Sequence, residues 1–185
     1  MVRCKHNTST RSISMVTVTT DIPSITHSAT INTIMRITKQ TPSITPRTKK
    51  QLHAALKNNH VALAFDGDRL VGWLVGTSYS NSIQEIGMAY ILPKYRDHGI
   101  INQLIAPLVV KHNTNLAVTY ETYLVELLVK KWSFRHSSLF EFNKRTGFAF
   151  LYSRISSLPA LSSAVRHIMK SKPTYLISNI TYEKR

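Results

Sequence analysis

The chain has 185 residues, of which 24 are Lys or Arg and 9 are Asp or Glu, so its formal charge is +15. This length is typical of one domain. A hydrophobic content of 43% is enough to form a core, which excludes wholesale disorder. The single cysteine excludes a disulfide framework and a multi-cysteine zinc site. No apolar run approaches the roughly 20 residues that a membrane helix requires, so we expect no membrane partner.

The positive charge is spread unevenly along the chain. Residues 1–59 carry nine basic residues and one acid, whereas residues 60–113 carry four of each. The basic flanks are typical either of a partner that is RNA or another polyanion, or of an ordinary solvated surface. The first 20 residues lack acids and are rich in Ser and Thr, as in organellar import segments. A strand-like run begins near Ser14, so we expect a cytoplasmic protein, with organellar import as the alternative.

The spacing of apolar residues predicts both strands and helices. Asp66-Gly67-Asp68 is a hairpin turn signal, and Pro107 predicts a kink or an early end of its helix. We also predict a second hairpin, with strands over 134–142 and 148–155 and a turn closed by Gly147. The other predicted strands are 13–19, 61–65, 70–77, 83–92, 116–120 and 175–182, and the predicted helices are 25–35, 48–59, 99–112, 121–132 and 159–170.

This order predicts an α+β fold with a mixed sheet, in which the helices 99–112 and 121–132 are the crossovers. We assign one domain to residues 13–155. A basic N-terminal extension covers 1–12 and a basic C-terminal extension covers 156–185. The C-terminal extension either adds an element to a homodimer interface or covers the sheet edge.

The junction after the third meander strand carries a phosphate-binding pattern. The strand ends at Leu92, a turn contains Arg96 and Gly99, and a helix follows at once. A helix N-terminus offers backbone N–H groups without intrahelical partners, and these groups bind phosphate oxygens. Any strand-to-helix turn with a glycine offers this pattern, so Gly99 as a simple turn residue is the alternative.

Several motifs, in this order, resemble the GNAT superfamily of N-acyltransferases over roughly residues 14–155. TTDIPSI (19–25) resembles the family's opening and RLVGWLVG (69–76) resembles its third strand. ILPKYRDHGIINQLI (91–105) resembles its signature, a Pro followed by Arg/Gln-x-x-Gly-x-Gly/Ala. LVELLVKKWSF (124–134) resembles the helix that ends in the family's Gly-Phe. The resemblance implies a central mixed sheet flanked by helices, and direct transfer of an acetyl group from acetyl-CoA to a primary amine.

The same resemblance implies where the coenzyme binds. Arg96 would add charge beside the pyrophosphate, and the backbone of Ile91 and Leu92 would pair with the pantetheine arm as an added strand does. Gly87 is compatible with a bulge that parts the two central strands. The backbone N–H groups implied to hold the pyrophosphate are those of Asp97, His98, Gly99, Ile100 and Ile101.

Acetyl transfer needs a base for the amine and an acid for the leaving thiolate. Glu85, eleven residues before Arg96, matches the glutamate that acts as general base in one branch of the family; an exposed strand-end carboxylate is the alternative. The family's usual acid, a tyrosine, and the usual glycine are here Val129 and Ser133. Tyr120 and Tyr123 are the candidates to replace that tyrosine.

These departures, with Ile101 at the last small position of the signature, leave a second interpretation open. It is a catalytically degenerate GNAT-like protein with a binding or structural role, and nucleic acid is its suggested partner. In the first interpretation the acceptor is unassigned, with an anionic or tRNA-linked amine suggested by the basic N-terminal third. We expect no metal cofactor, because the histidines show no metal-ligand spacing with acids.

Overall fold

The computed structural model describes residues 16–41, 44–155 and 172–179. In this part of the chain, seven strands form one mixed sheet in the order β1-β2-β3-β4-β5-β7-β6. The predicted α+β architecture with a mixed sheet is therefore confirmed. The strands are β1 (Thr17–Thr19), β2 (Val61–Asp66), β3 (Arg69–Ser78), β4 (Ile83–Ile91), β5 (Thr114–Thr119), β6 (Arg135–Ser137) and β7 (Thr174–Asn179).

Six α-helices accompany the sheet in the described residues. They are α1 (His27–Gln40), α2 (Lys49–Lys57), α3 (Ile100–Val109), α4 (Thr122–Trp132), α5 (Leu139–Thr146) and α6 (Ala149–Ile155). Helix α2 begins with a reciprocal capping box, in which the Thr48 and Gln51 side chains bond to each other's backbone N–H groups. Helix α3 contains Pro107 and ends at Val109, the early end that the proline predicts.

The sheet order reflects two crossovers and the two hairpins β2–β3 and β3–β4. Strand β4 runs parallel to β5, with α3 as the connection. Strands β5 and β6 each pair antiparallel with β7, so they are parallel to each other across the α4 connection. Both predicted crossover helices are confirmed. The β2–β3 hairpin turns at Gly67, whose φ of +58° is the left-handed value that favours glycine.

Three apolar cores hold the layers together. On one face, α3 and α4 cover the centre of the sheet around Leu74, Ile86 and Leu104. On the other face, α1 and α2 cover β2 and β3, with Trp73 fully buried. A third core, centred on Phe142, covers β5 and β7. Because strand side chains alternate between faces, β4 contributes to both layers.

The predicted hairpin over 134–142 and 148–155 is wrong, because only Arg135–Ser137 is a strand and helices α5 and α6 follow. The Ser138 hydroxyl accepts a hydrogen bond from the Glu141 N–H, which caps α5. Gly147, with φ +56°, ends it. Phe142 on α5 and Phe150 on α6 are both buried, one on each side of the break at Gly147.

Helices α5 and α6 pack their aromatic residues against the sheet. The ring of Phe142 lies 5.2 Å from those of Phe150 and Tyr175, and the Phe150 ring lies 6.4 Å from that of Tyr79. These edge-to-face contacts anchor α6 over the end of β3. The predicted helix 159–170, the N-terminal extension 1–12 and the outer ends of the first and last predicted strands lie outside the described residues. Of the C-terminal extension 156–185, residues 172–179 are described, and they contain β7, which lies between β5 and β6 in the sheet.

Candidate coenzyme and acceptor site

Strands β4 and β5 part in the middle of the sheet. Their parallel pairing runs from Ile83 with Thr114 to Ile86 with Ala117, and β4 continues to Ile91 without a partner on that side. The β3–β4 register shifts just beyond this point, and Met88 has a φ of +49°. A bulge therefore lies next to Gly87, and it turns the end of β4 away from β5. The result is a gap that opens toward the carboxyl ends of both strands.

Some backbone groups of β4 at this gap already have hydrogen-bond partners within the chain, and others face the gap. The Leu92 N–H donates to the Val71 carbonyl at 2.8 Å, and the Leu92 carbonyl accepts from the Tyr95 N–H at 2.8 Å. Both Leu92 groups are thus paired within the chain. By alternation along the strand, the backbone groups of Ala89 and Ile91 face the gap. The Ile91 carbonyl accepts a hydrogen bond from Arg96 Nε at 3.2 Å.

A turn connects the gap to the start of α3. Residues Pro93–His98 form a 3-10 helix, and Gly99 follows in the left-handed conformation with φ +69°. Buried Tyr95 fixes this turn, because its hydroxyl donates to Asp66 Oδ2 at 2.5 Å. Helix α3 begins at Ile100, so the first N–H groups of this ten-residue helix lie next to the open end of the gap.

The signature residues divide into an exposed rim and a buried base. Arg96, Asp97 and His98 are exposed. Ile101 is buried in the core between α3 and the sheet, with 5% of its surface exposed. Its bulk therefore points away from the turn, although the family pattern has a small residue there. The single Arg96 contact to Ile91 uses one of five guanidinium donors and leaves the others for an anion.

Glu85 lies on β4 immediately before the gap and belongs to a buried polar network. Its side chain is 2% exposed, which rules out the alternative of an exposed strand-end carboxylate. Arg47 Nη2 donates to Oε1 at 3.4 Å, and the Tyr79 hydroxyl donates to Oε2 at 2.7 Å. The Tyr79 hydroxyl is also 3.4 Å from the Ser153 hydroxyl on α6. In its ionised form this carboxylate can accept a proton from an ammonium group within hydrogen-bond reach.

Gly87 leaves space beside this carboxylate on the side of the gap. A methyl group on Gly87 would lie 3.5 Å from Glu85 Oε1, and no other atom of the described chain lies within 4 Å, its chain neighbours aside. Residues i and i+2 share one face of a strand. The space above Gly87 thus lies between the Glu85 carboxylate and the opening of the gap.

The two tyrosines named from the sequence occupy different positions. Tyr120 follows the last residue of β5 at the carboxyl end of the gap and is half-buried. Tyr123, in the first turn of α4, is 63% exposed. Val129 is on the partly exposed face of α4. Ser133 caps α4 with φ +55°, the left-handed conformation that a glycine adopts most easily.

Sequence reasoning missed Arg47 and Tyr79. Tyr79 directly follows β3, and the β3–β4 hairpin folds it back toward Glu85, six residues later. That hairpin spacing was a usable signal. Arg47 stands in a loop 38 residues before Glu85, and no local pattern announces such a contact. The network also needs α6, which the sequence analysis predicted to be a strand.

The architecture is that of the GNAT N-acyltransferases: a mixed sheet whose central strands part, with a glycine-started helix at the opening. Solved structures of this fold superpose on most of the chain. The Mycobacterium tuberculosis protein Rv2747, in complex with CoA, matches with a TM-score of 0.62 and 13% identity, over 89% of this chain and 99% of that one. The Salmonella typhimurium putative acetyltransferase yncA, with acetyl-CoA, matches with a TM-score of 0.58 and 9% identity, over 93% and 98%.

A third match is larger than this chain. The N-acetylglutamate synthase of Neisseria gonorrhoeae, complexed with coenzyme A and N-acetyl-glutamate, has a TM-score of 0.58 and 12% identity. The match covers 91% of this chain and 36% of the synthase, so this chain spans about a third of that protein. No protein-family model matches the sequence, and no curated protein is significantly similar to it. These likenesses establish the fold.

No three histidine, cysteine or acidic side chains in residues 16–41, 44–155 and 172–179 are grouped as metal ligands. Within the same ranges, no helix combines the length and the apolar composition needed to cross a bilayer.

Proposed function

We propose that this protein is an N-acetyltransferase that transfers the acetyl group of acetyl-CoA directly to a primary amine. One observation carries the proposal: the gap between β4 and β5 opens at the start of α3 and has the Glu85 carboxylate at its closed end. A channel lined by strand backbone and ending at a buried carboxylate suits a linear thioester. The structural neighbours crystallised with CoA or acetyl-CoA support the same choice.

In this proposal the pyrophosphate binds the N–H groups at the start of α3, from Asp97 to Ile101. The segment 60–113 has no net charge, so the positive charge beside the pyrophosphate comes from the single residue Arg96. The pantetheine arm pairs with the gap-facing backbone of β4. Since the Leu92 groups are already bonded to Val71 and Tyr95, pairing at Ala89 and Ile91 is more favourable than pairing at Leu92.

The acceptor amine occupies the space above Gly87. There the ammonium loses a proton to Glu85, either directly or through the Tyr79 hydroxyl that donates to its Oε2 atom. The amine nitrogen attacks the thioester carbonyl carbon, the C–S bond breaks, and the second proton that the nitrogen loses in forming the amide passes to solvent. The departing thiolate takes a proton from an acid at the open end of the gap, where Tyr120 stands closer to the strand ends than exposed Tyr123.

Basic residues beside this site suggest an acceptor with negative charge. Arg36 and Lys39 lie on α1, and Lys49, Lys50 and Lys57 lie on α2. Both helices cover the same sheet face as Glu85 and Gly87. Anionic acceptors, whether small molecules or amines linked to RNA, would be enriched near such a surface, and their binding would weaken with salt.

Calorimetric titration with acetyl-CoA tests the proposal. We expect saturable one-to-one binding, with binding of S-acetylpantetheine, which lacks the pyrophosphate, weaker by about a hundredfold. Arg96→Gln should weaken acetyl-CoA binding about tenfold, the effect of one charged hydrogen bond. Lys50→Gln, which removes the same charge from exposed α2, is the matched control. If neither compound binds at millimolar concentration, the proposal fails and a degenerate GNAT-like binding protein becomes the better account.

A further inference from the structure

Arg47 is a buried cation whose ion pair with Glu85 leaves part of its guanidinium without a hydrogen-bond partner in the described residues. Its side chain is 5% exposed, and its one ion pair in the described residues is the 3.4 Å contact with Glu85. The Nε atom is buried and has no hydrogen-bond partner there. A buried donor without an acceptor costs free energy, and a buried charge costs more. A ligand anion at Arg47 would supply the acceptor that the buried Nε donor lacks and would add a second negative charge beside the guanidinium.

A small cavity adjoins Arg47. It has a volume of about 190 Å³ and lies between α2 and β3. Polar residues line it together with Arg47, and the remaining wall is alanine, valine and glycine; the polar residues are Gln51, Asn58, His60, Thr77 and Ser78. At roughly 30 Å³ per water, this volume holds a carboxylate and a few methylene groups but no nucleotide.

The cavity and the amine space adjoin the same carboxylate. Thr77, in the cavity wall, pairs with Glu85 across the β3–β4 ladder. Arg47 reaches Glu85 Oε1 at 3.4 Å, and the space above Gly87 begins 3.5 Å from the same atom. The Arg47 guanidinium, the Glu85 carboxylate and the space above Gly87 therefore lie in this order within a few ångströms of one another. An ammonium placed against Glu85 and a carboxylate placed against Arg47 would continue this alternation of charge.

We infer that the acceptor is a small free amino acid, whose carboxylate binds Arg47 while its amine lies above Gly87. The inference rests on the proposed function and narrows it to one substrate class. An amine without a carboxylate supplies no anion for the Arg47 guanidinium, so the Arg47 Nε donor stays without an acceptor. A peptide N-terminus or an aminoacyl ester presents a neutral carbonyl beside the amine and cannot neutralise Arg47.

The test is release of free CoA from acetyl-CoA by the full-length protein with matched acceptors. Each proteinogenic L-amino acid is assayed first. The best one is then compared with its carboxamide and with the amine left after decarboxylation. We expect kcat/KM for the amino acid to exceed that for either analogue by about tenfold to a hundredfold, the discrimination that one charged hydrogen bond supplies. Arg47→Lys should reduce this preference by raising KM for the amino acid, while Lys131→Gln, on exposed α4 over the opposite sheet face, should leave it unchanged.

Separate results would overturn this inference and the proposed function. If the amide and the amine react as well as the amino acid, Arg47 does not bind a carboxylate of the acceptor. If only peptides or aminoacyl-RNA are acetylated, the acceptor class is wrong although the protein is an acetyltransferase. If Arg47→Lys does not fold, the wild-type comparison of the three acceptors still decides. Absence of acetyl-CoA binding would instead remove the proposed function itself.

Discussion

Replacing Gly87 with alanine should stabilise the protein slightly and inactivate it. The φ angle of Gly87 lies outside the left-handed region, so its backbone accepts an alanine. The new methyl group meets no atom closer than Glu85 Oε1, at 3.5 Å. Gly→Ala replacements at compatible positions reduce the entropy of the unfolded chain. We therefore expect a gain of about 0.4–1 kcal/mol in the free energy of unfolding.

The same methyl group would occupy the position of the acceptor nitrogen. A general base must lie within about 2.6–3.2 Å of the atom from which it takes a proton. A methyl group beside Oε1 excludes the nitrogen from that distance and displaces it by about 1 Å or more. Displacements of that size cost on the order of a hundredfold in rate. Acetyl-CoA binding should stay within a factor of about three, because the coenzyme channel lies beyond this residue.

The assay combines urea unfolding with acetyl-transfer kinetics on wild type and Gly87→Ala. Gly67→Ala is the control for backbone effects, because Gly67 has φ +58° and open space around it. That variant should lose about 1 kcal/mol of stability and keep its rate. The reasoning is refuted if Gly87→Ala is as active as wild type, or if rate and stability fall together as a packing defect would make them.

Three further predictions concern Glu85, Ser133 and the His60–His112 pair. Glu85→Gln should lower kcat by about a hundredfold or more and should remove the fall in kcat at low pH that protonation of the carboxylate causes. An unchanged pH–rate profile would exclude Glu85 as the base. Ser133→Gly should raise the free energy of unfolding by about 1 kcal/mol in urea, because it relieves a left-handed φ of +55°, and Ser133→Ala should give no such gain. Burial, aided by Lys111, lowers the pKa of both His60 and His112 below 6.5, with a backbone hydrogen bond at Asn81 partly opposing this at His112. The unfolded chain then binds more protons, so stability should fall as pH drops below about 6.5 and level off once the folded state takes up the same protons. His60→Gln should flatten this part of the curve, and a wild-type stability that is constant from pH 7 to 5 would contradict the assignment.

The sheet and its crossovers were predictable because their signals are local. Runs of apolar and β-branched residues mark β2 to β5, Gly67 marks the hairpin, and the glycine before α3 marks the turn at the gap. The α5–α6 region was mispredicted because its phenylalanines recur at every second position within each short segment, at 140 and 142 and at 148 and 150. The competing signal was the Ser138–Glu141 cap at the start of α5.

The site was only partly predictable for a related reason. Glu85 and the turn at Gly99 lie in the segment that carries the resemblance, so their sequence positions mark them. The partners of Glu85 come from a loop before α2, the end of β3 and α6. Contacts of this kind depend on how distant elements pack, and no short pattern encodes them. Burial decides whether the Glu85 carboxylate contacts solvent or other side chains, and burial too depends on how the layers pack together.

A crystal structure of the protein with bound acetyl-CoA tests the central claim most directly. We predict that the pantetheine arm lies between β4 and β5, that the pyrophosphate oxygens lie within about 3.2 Å of backbone nitrogens at the start of α3, and that the thioester carbonyl faces the space above Gly87. Coenzyme bound elsewhere on the molecule, or a gap closed by continued β4–β5 pairing beyond Ile86 and Ala117, would contradict it.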